Sequence, residues 1–369
     1  MAIGITEGAG FLGANVRERL DLLGLTSGET TEAAARLLPS GAGVAGKVHA
    51  RAHATGRLEP EAFGLSEASC RAWRGTFTVG LLEVRRTAED PGEHGPTVKA
   101  VMATSDGREI ECVRIPVPTP AGRAPRATLC LSSQAGCRMG CAFCETGRPG
   151  LARNLTAAEI VSQVVTSRTV LGWDFRNLVF MGMGEPLDNL AELSRALRVL
   201  TDMQGLRYPA ERITVCTCGD ADGIRGLKAL GMRRLNLSVS LNAADDGLRS
   251  RLMPVNRRTD LAALAAALAA YPQRRTFVLG VNYCLLPGIN DARADAKRVA
   301  GYCATLGRVY VNLIPYNPGS HPLCRTPTGD EARRFLGWLR AEGLEAGPRS
   351  ARGGSIMAGC GQLGGPRSG

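Results

Sequence analysis

An α/β fold is expected for this chain: a partial (βα)6 barrel with a small N-terminal helical domain and a short antiparallel β extension. Three observations lead there. From residue 127 onward, short apolar runs alternate with amphipathic stretches, the pattern of parallel strands joined by helices. Residues 77–118 instead alternate apolar and polar side chains between turn signals at Asp90-Pro-Gly and Asp106-Gly. Residues able to carry chemistry recur just after the strands, the end where parallel barrels place their sites.

The elements follow in chain order. Gly8, Gly10 and Gly13 fit G-x-G-x-x-G, but a dinucleotide fingerprint needs a βαβ unit around it. Here one short amphipathic stretch, 14–23, runs into Thr26-Ser-Gly-Glu-Thr-Thr, which breaks the pattern, and no apolar strand follows. A Gly-rich entry turn is the better reading. Short helices are expected at 31–38, at 44–54 and from the Ser66 cap to 73, too few to bury a large core. Barrel strands are expected at 127–132, 177–181, 213–217, 235–241, 277–285 and 309–315. Helices are expected between them at 157–171, 190–203, 222–229, 261–270 and 293–306. The expected units are a helical domain over 1–95, a β extension over 96–126, the barrel over 127–345 and a C-terminal loop over 346–369, with a mobile Gly-rich tail from 353.

Composition narrows the function classes. No apolar run approaches the roughly 20 residues that span a bilayer, and no export signal precedes the first helix, so no membrane role is expected. Twelve cysteines in such a chain point to a reducing compartment, hence a cytoplasmic protein. Net charge is +11, and only Lys47, Lys99, Lys228 and Lys297 are lysines. Arginine suits bidentate phosphate contacts, which fits a nucleic-acid partner; GC-rich coding explains the same bias without one.

The sharpest signal is Cys137, Cys141 and Cys144, spaced C-x3-C-x2-C. Three thiolates offered to a [4Fe-4S] cluster leave one iron without a protein ligand. In radical S-adenosylmethionine (SAM) enzymes that iron binds the amino and carboxylate groups of SAM, and an electron then cleaves the sulfonium to a 5′-deoxyadenosyl radical. A zinc knuckle would more often show paired C-x2-C spacings with a nearby fourth ligand. The nearest histidines in sequence, His94 and His321, lie far from the triplet. The fold expectation therefore sharpens to a radical SAM barrel.

Five further segments are specific: Cys130-Leu-Ser-Ser-Gln-Ala-Gly-Cys137 through Thr156, Met181-Gly-Met-Gly-Glu-Pro186, Leu252-Met-Pro-Val-Asn256, Val311-Asn-Leu-Ile-Pro-Tyr-Asn317 and Cys360-Gly-Gln-Leu363. With these, the chain resembles the RlmN/Cfr family, radical SAM methyltransferases that act on an adenosine of 23S ribosomal RNA. The resemblance runs from about 111 to 363 and is weak before 95, where the family carries a small RNA-binding domain. It implies a site. Gly184 and Glu185 match the turn that receives the SAM amine, and Cys216, Ser240, Asn242 and Asn312 match SAM contacts. Cys360 matches a cysteine that is methylated first and then passes its carbon to the base through a protein–RNA thioether. Cys130 matches the cysteine that resolves that thioether and leaves a disulfide. Glu111 matches the proposed proton acceptor. The resemblance also implies RNA as partner (23S rRNA, possibly tRNA), an electron donor such as flavodoxin or ferredoxin, and a monomer.

This chain departs from the family at several of these positions. Cys216 and Cys218 stand where serines are usual, Asn242 where His is usual, Ser355 where an Asp is usual and Gly359 where an Ala is usual. Cys216 and Cys218 share one face of a strand, as core fillers or facing the pocket. The departures leave two alternatives beside an rRNA methyltransferase. One is a paralogue methylating a heteroaromatic small molecule or peptide by the same chemistry. The other is a non-catalytic iron–sulfur RNA-binding protein.

Overall fold

The computed structural model describes residues 19–119, 126–349 and 352–365. Gly8, Gly10 and Gly13 lie outside them. The chain opens with a short strand β1 (Leu20–Asp21), then helices α1 (Ser27–Leu37), α2 (Ala45–Thr55) and α3 (Glu67–Thr76), then β2 (Phe77–Thr78), which pairs parallel with β1. Thr26 caps α1 in a reciprocal box with Glu29, so the segment read as a pattern break is the start signal of that helix. Ser66 caps α3 as expected. The helices close a small core of their own, in which Trp73 and Phe77 pack with ring centroids 4.8 Å apart.

One ten-stranded sheet makes up the rest. It contains the antiparallel β3 (Glu83–Asp90), β4 (Thr97–Ala103) and β5 (Glu109–Val117) and the parallel β6 (Arg126–Cys130). A small hairpin, β7 (Gln134–Gly136) and β8 (Leu151–Asn154), brackets the cysteine triplet. The barrel then continues through α4 (Ala157–Thr169), β9 (Asn177–Phe180), α5 (Leu190–Thr201), β10 (Ile213–Thr217), α6 (Ala221–Ala229) and β11 (Asn236–Ser240). After α7 (Asp246–Leu252) and α8 (Leu261–Ala270) come β12 (Leu279–Leu285), α9 (Arg293–Cys303), β13 (Val309–Pro315), α10 (Gly329–Ala341) and β14 (Ala346–Pro348). Strand order is β14-β13-β12-β11-β10-β9-β6-β5-β4-β3.

The six expected barrel strands are present and parallel. Four expectations need correction. A seventh parallel strand, β14, follows β13; three residues of Ala-Gly-Pro carry no apolar pattern, and only pairing with β13 defines it. The boundary expected at 95/96 falls inside the β3–β4 turn, because β3 begins at Glu83. The extension is not separate from the barrel, since β5 pairs antiparallel with β6 in the same sheet. Residues 353–365 are not a free tail: they fold back across β3–β5 and the cysteine loop.

Strand alternation explains why the barrel holds a pocket. In β11, Leu237 and Val239 are buried in the core against the helices, while Ser238 and Ser240 face inward. In β12, Val281, Tyr283 and Leu285 join that core and leave Asn282 and Cys284 to the interior. Hydrocarbon packs outside the sheet and polar atoms line the inside.

Candidate active site

The pocket lies at the carboxyl ends of the strands. The cysteine triplet, Glu185, Cys216, Cys218, Ser240, Asn242, Asn282, Cys284 and Cys360 all line it. Its floor is built by a close approach of two turns. A Cβ at Gly182 would stand 2.6 Å from the Leu131 carbonyl, and Gly184 has a left-handed φ of +97° against Gln134. Only glycine permits this. The two turns are then tied together: Gly182 N–H donates to the Leu131 carbonyl (2.9 Å), Met183 N–H to Ser132 Oγ (2.8 Å) and Glu185 N–H to Gln134 Oε1 (2.9 Å).

Glu185 is buried, and burial pushes its carboxyl up from the ordinary value. Its Oε2 accepts the Cys218 N–H (2.8 Å) and Oε1 accepts the Leu187 N–H (3.2 Å). These bonds hold the carboxylate in place and favour its charged form against the effect of burial.

Cys137, Cys141 and Cys144 face this same pocket. Burial pushes all three thiols up, Cys137 to about 12, and their mutual repulsion adds to the effect. Arg249 offsets it only in part at Cys141. Among the described residues no three ligating side chains close around a point fit for a single metal ion. Three thiols gathered on one pocket, Cys137 buried and Cys141 and Cys144 half-buried, fit a polynuclear cationic centre, whose charge deprotonates its thiol ligands.

The wall opposite carries the departures from the family. The Asn282 amide donates to Cys216 Sγ (3.1 Å) and to Ser238 Oγ (2.7 Å), and Cys216 Sγ lies 3.7 Å from Ser240 Oγ. Cys218 lines the pocket too, so both i, i+2 thiols reach the pocket, and Cys218 also packs in a small apolar cluster with Ala243, Met253 and Tyr316. Asn242 has a left-handed φ of +58°; its Oδ1 accepts the Cys284 N–H (2.8 Å), and its amide donates to Met253 Sδ (3.2 Å). Asn312 is not brought to the pocket. Its amide donates one hydrogen bond to Asn282 Oδ1 (3.1 Å), a residue that lines the pocket, and it borders a lower cavity of the barrel.

The C-terminal loop brings Cys360 over the cysteine triplet. Glu145 N–H donates to the Gly361 carbonyl (2.7 Å), Thr146 Oγ1 to the Leu363 carbonyl (2.6 Å) and Gln362 Nε2 to the Pro318 carbonyl (2.8 Å). Cys130, buried at the end of β6, is a free thiol like Cys360. Burial pushes the Cys130 thiol up, and the charge of a Cys360 thiolate is the next largest cause. Glu111 stands beside them on β5. Its carboxylate is shared between Lys99 Nζ (3.2 Å) and the Gly364 N–H (3.0 Å), and it does not line the pocket itself.

Sequence reasoning missed Lys99, Arg249, Asn282 and Cys284. Asn282 and Cys284 had a usable signal, the inward register of β12. Arg249 is fully buried among the carbonyls of Cys218 (2.6 Å), Leu241 (3.1 Å) and Ser240 (3.4 Å) and the Asn256 Oδ1 (2.7 Å), contacts that no spacing encodes.

Fold and site together define a radical SAM methyltransferase. Residues 131–300 match the model of the Radical SAM superfamily. A solved radical SAM methyltransferase from Sphaerobacter thermophilus superposes with a TM-score of 0.82 at 35% identity, covering 94% of this chain and 99% of that one. A probable dual-specificity RNA methyltransferase RlmN of Protochlamydia amoebophila is 42% identical over 270 residues, 73% of this chain and 74% of the relative. The dual-specificity RNA methyltransferase RlmN of Syntrophotalea carbinolica is 43% identical over 268 residues, 72% and 69%. The chain belongs to the RlmN family of radical SAM methyltransferases, which use a [4Fe-4S] cluster and SAM. No helix among the described residues is long and apolar enough to cross a membrane.

Proposed function

We propose that this enzyme methylates an electrophilic ring carbon of adenosine in 23S rRNA, with S-methylated Cys360 as the carbon carrier. One observation carries the reading: Cys360 is seated in the same pocket as Cys137, Cys141 and Cys144, and its charge reaches the buried Cys130 thiol. Bound there, the cluster and SAM supply a 5′-deoxyadenosyl radical for hydrogen abstraction. The protein does the rest. Cys137, Cys141 and Cys144 hold the cluster, and Glu185 with the Gly182–Gly184 turn orients the SAM amine. Asn242, Ser240 and Cys216 shape the wall of the cofactor pocket, and Asn282 takes the place expected for Asn312. Cys360 carries the methyl group; its carbon bonds to the base, and the adduct gives up the ring-carbon proton and returns one electron to the external electron donor. The Cys130 thiolate then attacks the Cys360 sulfur, and the S–C bond breaks as the departing carbon takes a proton, leaving the methylated base and a Cys130–Cys360 disulfide. Two electrons from an external reductant, with two protons, restore both thiols. Glu111 accepts the proton lost from the base carbon, its charge held until then by Lys99.

RNA as the substrate is supported by the relatives, named RNA methyltransferases, and by the net charge of +11. The small-molecule and non-catalytic alternatives are not favoured: those names speak against the first, and RNA binding alone needs neither Cys130 nor Cys360. The test is a labelled-methyl assay on a 23S rRNA fragment, on tRNA and on free adenosine, beside mass spectrometry of the tail peptide. S-methylcysteine at Cys360 and label in rRNA support the proposal. Full activity of Cys360→Ala would refute it.

A further inference from the structure

Strands β3–β5 continue the barrel sheet beyond β6 to its edge, and they hold the loop that carries Cys360. Lys99 on β4 donates to the Met357 carbonyl (3.1 Å), and Arg352 donates to the Pro116 carbonyl beside it on β5 (2.5 Å). The third anchor is different in kind. Asp90 is the last residue of β3, the outermost strand of the sheet, and both of its carboxylate oxygens face the loop. Oδ2 accepts the Gly353 N–H at 2.7 Å and Oδ1 accepts the Ser355 hydroxyl at 2.5 Å. Hydrogen bonds to an ionised acceptor are the stronger ones, and here two converge on one turn. That turn has little freedom. Gly353 takes a left-handed φ of +72°, and a Cβ there would meet the Ala358 Cβ at 2.7 Å. Ala358 is two residues before Cys360.

We infer that Asp90 is a positioning residue for Cys360: its carboxylate latches the 353–358 turn to the sheet edge and so sets where the Cys360 thiol stands over the pocket. The inference rests on the proposed role of Cys360 but concerns where the thiol is held, not what it carries. The latch also gives Ser355 a reason. An aspartate there would press a second carboxylate against Asp90; a hydroxyl donates to it instead.

Limited trypsin cleavage after Arg352 in the cluster-loaded protein reads the latch without relying on methyl transfer. Asp90→Ala should speed cleavage about tenfold, since two hydrogen bonds to a charged group are lost. Ser355→Asp should do the same by repulsion. Combining Ser355→Asp with Asp90→Asn should bring the rate back to within about twofold of wild type, because an amide can again donate to a carboxylate across the turn. In the same preparations the S-methylated fraction of Cys360 should fall in both single variants and recover in the double. An unchanged cleavage rate in Asp90→Ala overturns the inference. So does a Ser355→Asp defect that Asp90→Asn fails to rescue, and that arm decides the matter if Asp90→Ala does not fold. A wild-type Cys360 free of S-methyl, with cleavage still responding as described, would overturn the role of Cys360 and leave the latch standing.

Discussion

Replacing Arg249 by Leu should loosen the wall of the SAM pocket and cost stability by an amount the contacts define. The guanidinium is fully buried and donates to the Cys218, Leu241 and Ser240 carbonyls and to Asn256 Oδ1. It thereby ties the ends of β10 and β11 to the turn that follows α7. Burial opposes its charge, so the four acceptors are what keep it in place. Leu241 keeps another donor, the Ala243 N–H at 2.7 Å. The Cys218 carbonyl and Asn256 Oδ1 would be stranded, at about 1–3 kcal/mol each. A total near 4 kcal/mol follows, before any repacking. With an unfolding entropy of about 2 cal/mol/K per residue, a chain of this length should lose about 5 °C in Tm. Cys218 also presents its N–H to Glu185, so the shift reaches the carboxylate proposed for the SAM amine, and SAM affinity should fall at least about tenfold. Differential scanning at a fixed rate and equilibrium dialysis with labelled SAM measure the two effects. Arg249→Lys keeps a charge but gathers its donors on one nitrogen, which cannot span the four acceptors, and should fall between. Wild-type Tm and SAM affinity in Arg249→Leu would refute the reasoning.

Other outcomes follow from the same geometry. Cys137→Ala, Cys141→Ala or Cys144→Ala should abolish cluster loading and SAM cleavage, read by iron analysis and 5′-deoxyadenosine yield; a variant that still cleaves SAM removes that cysteine from the cluster. Cys130→Ala should form the Cys360 adduct and stall, so the protein should co-purify with nuclease-sensitive material, whereas normal turnover without an adduct would rule out its resolving role. A pH effect is expected at the helical domain. Burial, with His53 beside it, holds His49 down to about 3 from an ordinary 6.5. Below about pH 6.5 the unfolded chain therefore takes up a proton that the folded one refuses, and stability falls toward pH 3 by at most about 1.4 kcal/mol per pH unit from this group. His49→Gln should flatten the Tm-versus-pH slope between pH 6.5 and 5, and equal slopes in the two proteins would discard the assignment.

The sequence alone determined much of this protein. Strand–helix alternation after residue 127 was enough to place the six barrel strands, because each strand must show apolar residues to the helices outside it. The Cys137–Cys144 spacing named the cofactor class, since those three ligands are local in the chain and need no distant partner to be recognised. The Gly182–Glu185 turn was legible for the same reason. Where signals were local but weak, the reading slipped. The Thr26–Glu29 capping box passed for a pattern break, and β14, three residues of Ala-Gly-Pro, exists only by pairing with β13.

Tertiary structure decided everything that joins distant segments. Asn312 sits on the expected strand, but the barrel's side-to-side packing gives the pocket position to Asn282. Arg249 and Lys99 gain meaning only from carbonyls and a carboxylate on other elements of the fold, and a buried charge has no periodicity to betray it. The loop bearing Cys360 looks free because its glycine-rich sequence carries only scattered apolar residues, although Ala358 and Leu363 reach the core. Among its anchors are backbone hydrogen bonds to the side chains of Glu111, Lys99 and Asp90, 253 to 263 residues away, and such bonds leave no trace in side-chain pattern.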